Sequence, residues 1–370
     1  MNIPYFDMKR ENEPLAQELN TAVLEILSSG HFILGPKLEQ FEAQFAKYCQ
    51  TQFCLGVGNG LEALTLSLKA AGIGLGDKVA IPAHTFIATA LGVIATGAEP
   101  VLVDVDRETF TILPSHLEQL NDKSIKAVIP VHLYGHPCEM DSINQIAKEK
   151  SWLVLEDNAQ AHGALYKGRK TGGLGHISAT SFYPTKNLGA FGDGGAVTTN
   201  SEAFAQQLGW LRNYGQSEKY NHVADGGNSR LDDIQAAILS VKLKYLDESN
   251  QKRNLGARRY LRQLQGVGDL QLPTIRENST HVFHVFAVLT SKRDECLKYL
   301  KDRGVGCIVH YPKAIHQHKA FSESGWNSPN GSFLNSEFVC KNILSLPLSP
   351  QLPLDQIDRV CELLRDFFKK

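Results

Sequence analysis

Between about residue 50 and residue 215 the chain alternates short apolar runs with stretches of helical spacing, and this alternation limits the fold more than any other feature. Phe53-Cys-Leu-Gly-Val57 reads as a short buried strand, and residues 61–71 carry apolar side chains at helical spacing. Strands are expected at 78–81, 100–105, 125–131, 152–155, 179–182 and 196–199, with a helix at 141–150. Ser115 with Glu118 fits a capping box that opens a further helix through Leu120. Strands joined through helices return to the same edge of a sheet, so the pattern predicts an α/β fold with a large, mainly parallel sheet wrapped by helices.

The chain has 370 residues, which is long for one domain, and its texture changes beyond Asn228. Residues 230–247 form one long helical pattern, and charged residues dominate to about Arg262. A small α+β unit follows, with a strand at 281–287 and helices at 295–303 and 354–368. We therefore read an N-terminal segment plus large α/β domain over residues 1–250 and a small C-terminal α+β domain over 251–370, dividing at 247–256. The first 50 residues are helical in pattern and are expected to pack on the small domain or on a partner subunit. A net charge of −1 gives no field that gathers nucleic acid or an anionic membrane. No apolar run is long enough for a bilayer, and the first residues lack the basic and apolar stretches of a signal peptide. The seven cysteines are scattered and include no C-x-x-C pair, so we expect reduced thiols and a cytoplasmic protein. The sequons at Asn278 and Asn330 are then chance matches.

Chemistry concentrates around Lys186, in Ser181-Phe-Tyr-Pro-Thr-Lys-Asn-Leu-Gly189, just before Gly192-Asp-Gly-Gly195. Upstream, the apolar run Leu153-Val-Leu-Glu-Asp157 ends in acid and leads into Asn158-Ala-Gln-Ala-His-Gly163. Ligands of open α/β sheets bind beyond the carboxyl ends of the strands, so Asp157 and Lys186 are expected to face one cleft. A lysine that forms an imine and an acid that keeps a pyridine nitrogen protonated are what pyridoxal phosphate chemistry needs. Each residue alone reads as readily as a solvated lysine or a turn acid; the pair is the sharper signal. Gly56-Val-Gly-Asn-Gly60 precedes a helix, whose first amides and positive dipole end suit a phosphate. It is not a dinucleotide fingerprint, which needs glycine where Leu61 stands. Phe86 follows a strand and can stack on an aromatic ring, although taken alone it fits a core role better. His310, His316 and His318 lack the carboxylate or cysteine that would complete a metal site, so no metal is expected.

These motifs, taken in order, resemble the pyridoxal-phosphate-dependent sugar aminotransferases of the DegT/DnrJ/EryC1/StrS type, of fold type I. The resemblance runs nearly end to end, through Gly58-Asn-Gly60, Pro82-Ala-His-Thr-Phe-Ile-Ala-Thr89, Pro130-Val-His-Leu-Tyr-Gly135, residues 156–163 and 181–195, Gly227-Asn-Ser-Arg230, His310-Tyr-Pro312 and Leu344-Ser-Leu-Pro347. It implies that Lys186 holds the cofactor covalently, Asp157 pairs with the pyridinium nitrogen, Gln160 meets the ring oxygen and Phe86 stacks on the ring. It further implies phosphate binding by Gly58, Asn59, Gly60 and Ser181, with Asn228 reaching the cofactor of the other subunit in a homodimer with shared sites. Asn59 stands where a small hydroxyl residue or alanine is often found. Tyr183-Pro184 beside the lysine is closest to the branch that aminates C3 of a dTDP-linked 3-keto-6-deoxyhexose with L-glutamate as donor. On that resemblance Tyr183, Lys219, His310 and Tyr311 contact the nucleotide-sugar. The alternatives are a C4-aminotransferase acting on a UDP- or GDP-4-keto-6-deoxyhexose and, more remotely, a non-catalytic regulatory protein on the same fold.

Overall fold

A seven-stranded sheet forms the centre of the protein in a computed structural model that describes residues 2–322 and 332–369; Asn330 of the second sequon lies outside them. In chain order its strands are β1 Phe53–Val57, β2 Lys78–Pro82, β3 Glu99–Val103, β4 Ile125–Val128, β5 Leu153–Asp157, β6 Ile177–Ser181 and β7 Gly195–Thr199. Across the sheet they run β1-β7-β6-β5-β4-β2-β3. β2 pairs in parallel with β3 and β4, and β5 with β4 and β6. β7 alone runs against its neighbours β1 and β6. Strands β2 and β5 carry apolar side chains on both faces because helices cover both: Val79, Ala80, Ile81, Val154 and Leu155 have no exposed surface. Each such valine, leucine or isoleucine contributes about 1.5–3 kcal/mol by leaving water.

The elements differ from the expectation in four places. The short helix Pro114–Glu118 has Leu113 at its N-cap and no side-chain cap, so Ser115 opens no capping box; Pro114, which has no N–H to lose, takes the first helical position. The pattern expected as one helix over 230–247 is two helices, Asp233–Leu243 and Leu246–Leu264, broken at Lys244-Tyr245. Residues 247–256 therefore lie inside a continuous helix and not in a linker. The passage between cores happens along that helix: Leu246 packs with Phe41, Phe45 and Phe182, whereas Ala257, Tyr260 and Leu264 pack with the C-terminal helix Leu354–Phe368. The C-terminal strand, β8 Phe286–Leu289, begins five residues later than the apolar run suggests and pairs antiparallel with β9 Ile343–Leu346.

Of the N-terminal segment, only the first residues pack on the small C-terminal unit. Ile3 bridges to Val305, its N–H donating to Gly304 O at 2.8 Å, while Gly306 N–H donates to Ile3 O at 2.7 Å. The two long helices that follow, Ala16–Ser29 and Pro36–Cys49, pack instead on the large domain, Leu19 with Ile238 and Val241, and Phe41 and Phe45 with Phe182 and Leu239.

Candidate active site

Three chain segments meet at one edge of the sheet, and register brings them there. Asp157 ends β5 opposite Ala179 of β6. β6 and β7 form a long antiparallel hairpin closing at Ser181 opposite Gly195, so its loop, carrying Lys186, projects from the carboxyl end of β6. β1 ends at Val57, also opposite Gly195, and leads through Asn59 into the helix Gly60–Ala70. These ends close a cavity of about 410 Å³. A larger recess of about 810 Å³, lined by Lys126, Trp152, Leu153 and His176, lies at the amino ends of β4, β5 and β6. Open α/β sheets bind ligands in the crevice beyond the carboxyl ends of their strands, at the opposite edge, so we assign the smaller cavity as the site.

Asp157 is buried and held by neutral donors: Ala159 N–H reaches Oδ1 and Thr89 Oγ1 reaches Oδ2, both at 3.1 Å. Thr85, four residues earlier and ahead of the helix Ala88–Ile94, supports Thr89 with a hydroxyl contact at 3.1 Å. Burial pushes the Asp157 carboxyl up, against the opposing pull of Ala159 N–H and Lys186. No cationic side chain among the described residues pairs with it directly. Lys186 closes a tight turn by donating its N–H to Tyr183 O at 2.8 Å. Burial lowers its amine to about 8, with Asp157 acting the other way.

At the far end of the cavity, the first-turn N–H groups of Gly60 and Leu61 have no intrahelical acceptor and carry the positive end of the helix dipole. Asn59 caps this helix, its Oδ1 accepting from Glu62 N–H at 2.9 Å. Close approach is built in, since a Cβ on Gly60 would lie 2.6 Å from Ser181 Cβ. His162 Nε2–H fixes Ser181 by donating to its carbonyl at 2.9 Å. Between the two ends stands Phe86, 52% exposed, with its ring 5.6 Å from that of Tyr311.

Gln160 Oε1 accepts from Tyr134 N–H at 2.7 Å, which turns its Nε2 toward the cavity, where it donates to Tyr311 Oη at 3.1 Å. Tyr183, His310 and Tyr311 line the cavity. His310 Nδ1 lies 2.9 Å from Ser345 Oγ, and burial lowers the imidazole to about 4. Three expected residues stand elsewhere. Gly58 N–H is taken by Ser229 Oγ at 3.1 Å. Lys219 is exposed beside a two-stranded hairpin, its Nζ 5.3 Å from the Tyr220 ring centre. Asn228 is exposed and bridged to Asn213. None of the three lines this chain's own cavity. The structure adds Thr85, Thr89, Asp193 and His284 to the wall. The four-residue spacing of the threonines beside Phe86 was the signal for two of them; His284 lay hidden in an apparent strand.

A buried carboxylate lacking a cation, a buried amine, an exposed aromatic face and unspent amide donors at a helix start fit pyridoxal 5′-phosphate. Fold and site thus define a pyridoxal-phosphate enzyme of fold type I. The chain belongs to the DegT/DnrJ/EryC1/StrS aminotransferase family, which it matches over residues 14–365. It is 43% identical over 368 residues to dTDP-3-amino-3,4,6-trideoxy-alpha-D-glucose transaminase of Streptomyces venezuelae, covering 100% of this chain and 97% of the relative. It is 44% identical over 360 residues to dTDP-3-amino-3,6-dideoxy-alpha-D-galactopyranose transaminase of Aneurinibacillus thermoaerophilus, covering 97% and 98%. The crystal structure of S. venezuelae DesV in complex with a ketimine intermediate superposes with a TM-score of 0.97 at 42% identity, covering 100% of this chain and 99% of that one. The protein is an aminotransferase, and its cofactor is pyridoxal 5′-phosphate.

Proposed function

We propose that the protein moves an amino group from L-glutamate to C3 of a dTDP-linked 3-keto-6-deoxyhexose, giving dTDP-3-amino-3,6-dideoxyhexose and 2-oxoglutarate in deoxyamino-sugar biosynthesis. The observation that carries the reading is Lys186 and Asp157 in one cavity, in a chain whose relatives bear the names of dTDP-3-amino-sugar transaminases. A regulatory protein without catalysis has no need to bury this pair, and amination at C4 is not favoured.

The cofactor supplies an electron sink that takes up the electrons of a broken C–H bond. Lys186 would hold it covalently between turnovers. Its amine, once free, would serve as the base that takes the proton from the donor's α-carbon and later gives it up. An amine lowered to about 8 is part neutral near neutral pH and so can accept that proton. Asp157 keeps the pyridine nitrogen protonated; the positive charge offsets the burial that otherwise pushes its carboxyl up. Phe86 would stack on the ring, Gln160 would meet its oxygen, and the Asn59, Gly60 and Ser181 groups would hold the phosphate. Tyr183, His310 and Tyr311 face the sugar. Asn228 and Lys219 stand outside their own cavity, which accords with service to a second subunit in a homodimer. Seven buried, unbridged cysteines accord with a cytoplasmic protein.

The test is a product assay with separate dTDP-3-keto-6-deoxy-galactose and dTDP-3-keto-6-deoxy-glucose plus glutamate, read by NMR. An amine appearing at C3 of either supports the reading; turnover of 4-keto-sugars alone overturns it.

A further inference from the structure

His284 lines the cavity from a segment whose backbone is bent to place it there. The run His281-Val-Phe-His-Val-Phe286 alternates like a strand, yet Phe283, wholly buried, has φ +44° and breaks the alternation. A bulky residue in the left-handed region is strained, and such strain persists only where the surroundings over-determine it. Here they do. Val282 N–H donates to Gly135 O at 3.0 Å and Phe283 N–H to His281 Nδ1 at 2.9 Å. The His281 and Phe283 rings stack with centroids 3.9 Å apart.

The hydrogen-bond chain behind His284 fixes its tautomer. Asn250 Nδ2 donates to the backbone carbonyl of His162 at 2.8 Å, so its Oδ1 is the atom facing Asn187. Asn187 Nδ2 spends its two hydrogens on Asn250 Oδ1 at 2.9 Å and on Val282 O at 3.1 Å. The atom left on Asn187, Oδ1, only accepts, so the contact at 3.2 Å is donated by His284 Nδ1–H. Nε2 then carries a lone pair, and no described residue donates to it. Burial holds the imidazole well below its ordinary value, so it stays neutral.

We propose that His284 Nε2 accepts a hydrogen bond from a hydroxyl of the sugar, making His284 a substrate-binding residue that separates the two substrates of the alternating reaction. The inference rests on the keto-sugar reading above. The physical case is the chemistry of what enters. Glutamate's one donor group is its α-amine, which must bond at the reacting carbon, and its remaining polar groups are carboxylates that a lone pair repels. A sugar brings hydroxyls, which a lone pair binds. The same atom therefore favours one substrate and turns the carboxylates of the other elsewhere.

The test compares holoenzyme of wild type, His284→Leu and His284→Gln. Gln keeps an acceptor near the Nε2 position and Leu does not. Binding of unreactive dTDP-6-deoxyglucose by calorimetry is expected to weaken about tenfold in His284→Leu and to recover most of that loss in His284→Gln. Single-turnover absorbance should show the keto-sugar half-reaction losing more than the glutamate half-reaction. Wild-type affinity in His284→Leu overturns the proposal. So does equal loss in both half-reactions, which would assign the lone pair to Lys186's own amine. Wild-type conversion of the keto-sugar reports separately on the proposed function, so the two readings fail on different measurements.

Discussion

At the scale of single residues, the reactive amine is set by where it is buried. An ordinary lysine is almost wholly protonated at neutral pH, but loss of solvent lowers Lys186 to about 8, and the Asp157 carboxylate limits the fall. Only the neutral amine attacks an aldehyde. Attachment of cofactor to the apoprotein should therefore speed up as pH rises through 8 and level off above it, about tenfold faster at pH 9 than at pH 7. Growth of the yellow absorbance in stopped flow measures this; a rate still climbing beyond pH 10 would return the amine to the ordinary lysine range. Lys186→Ala is expected to bind the cofactor but to lose turnover by at least about 10²–10⁴-fold, since base and covalent anchor go together. In wild type, borohydride should fix the cofactor on the Lys186 peptide, read by mass spectrometry. Asp157→Asn, which cannot hold a pyridinium proton by charge, should lose about a hundredfold or more while still binding cofactor. Full activity in either variant would remove that residue from the chemistry.

At the scale of elements, the cradle depends on β6, β7 and the helix Gly60–Ala70 approaching without side chains between them. Gly60→Ala places a Cβ 2.6 Å from Ser181 Cβ and 3.1 Å from its Cα, so the helix start must shift from the strand. The expected cost is about 1–3 kcal/mol, with weaker cofactor binding, read as a lower Tm and a raised Kd in absorbance titration. An unchanged Kd would show that the helix start does not hold the phosphate. Part of the sheet around them was legible. Strands buried on both faces give apolar runs, so β1, β2 and β5 are readable in the sequence, and the acids that end β5 stand out because they interrupt one. The segment holding His284 was not legible. Its alternation is that of a strand, and only the bond from Phe283 N–H to the nearby His281 ring, that from Val282 N–H to distant Gly135 and that from Arg253 to Phe283 O decide against it. The helix spanning residues 247–256 was hidden for a similar reason. It is polar over much of its length and changes partners from one core to the other, a property of packing that no local pattern carries.

At the scale of the whole molecule, one chain supplies a cavity where Lys186 is the only lysine or arginine among the described residues, whereas the donor carries two carboxylates and the nucleotide-sugar a pyrophosphate. Further cations have to reach the site from outside that wall. Lys219 and Asn228 lie on the exposed stretch between the helices Glu202–Leu211 and Asp233–Leu243, in company with exposed Tyr214, Tyr220 and Val223. Apolar side chains collected around polar residues in this way fit an interface between copies. If two chains exchange these residues, Lys186 and Asn228 of one site belong to different chains. Lys186→Ala and Asn228→Ala, each nearly inactive alone, should then complement when co-expressed. The mixed dimer has one site carrying both defects and one carrying neither. With random pairing half the dimers are mixed, so about a quarter of wild-type activity is expected in the pool, and about half in mixed dimers isolated with two affinity tags. If Asn228 served its own chain, every site in the mixed dimer would carry one defect, and co-expression would restore nothing.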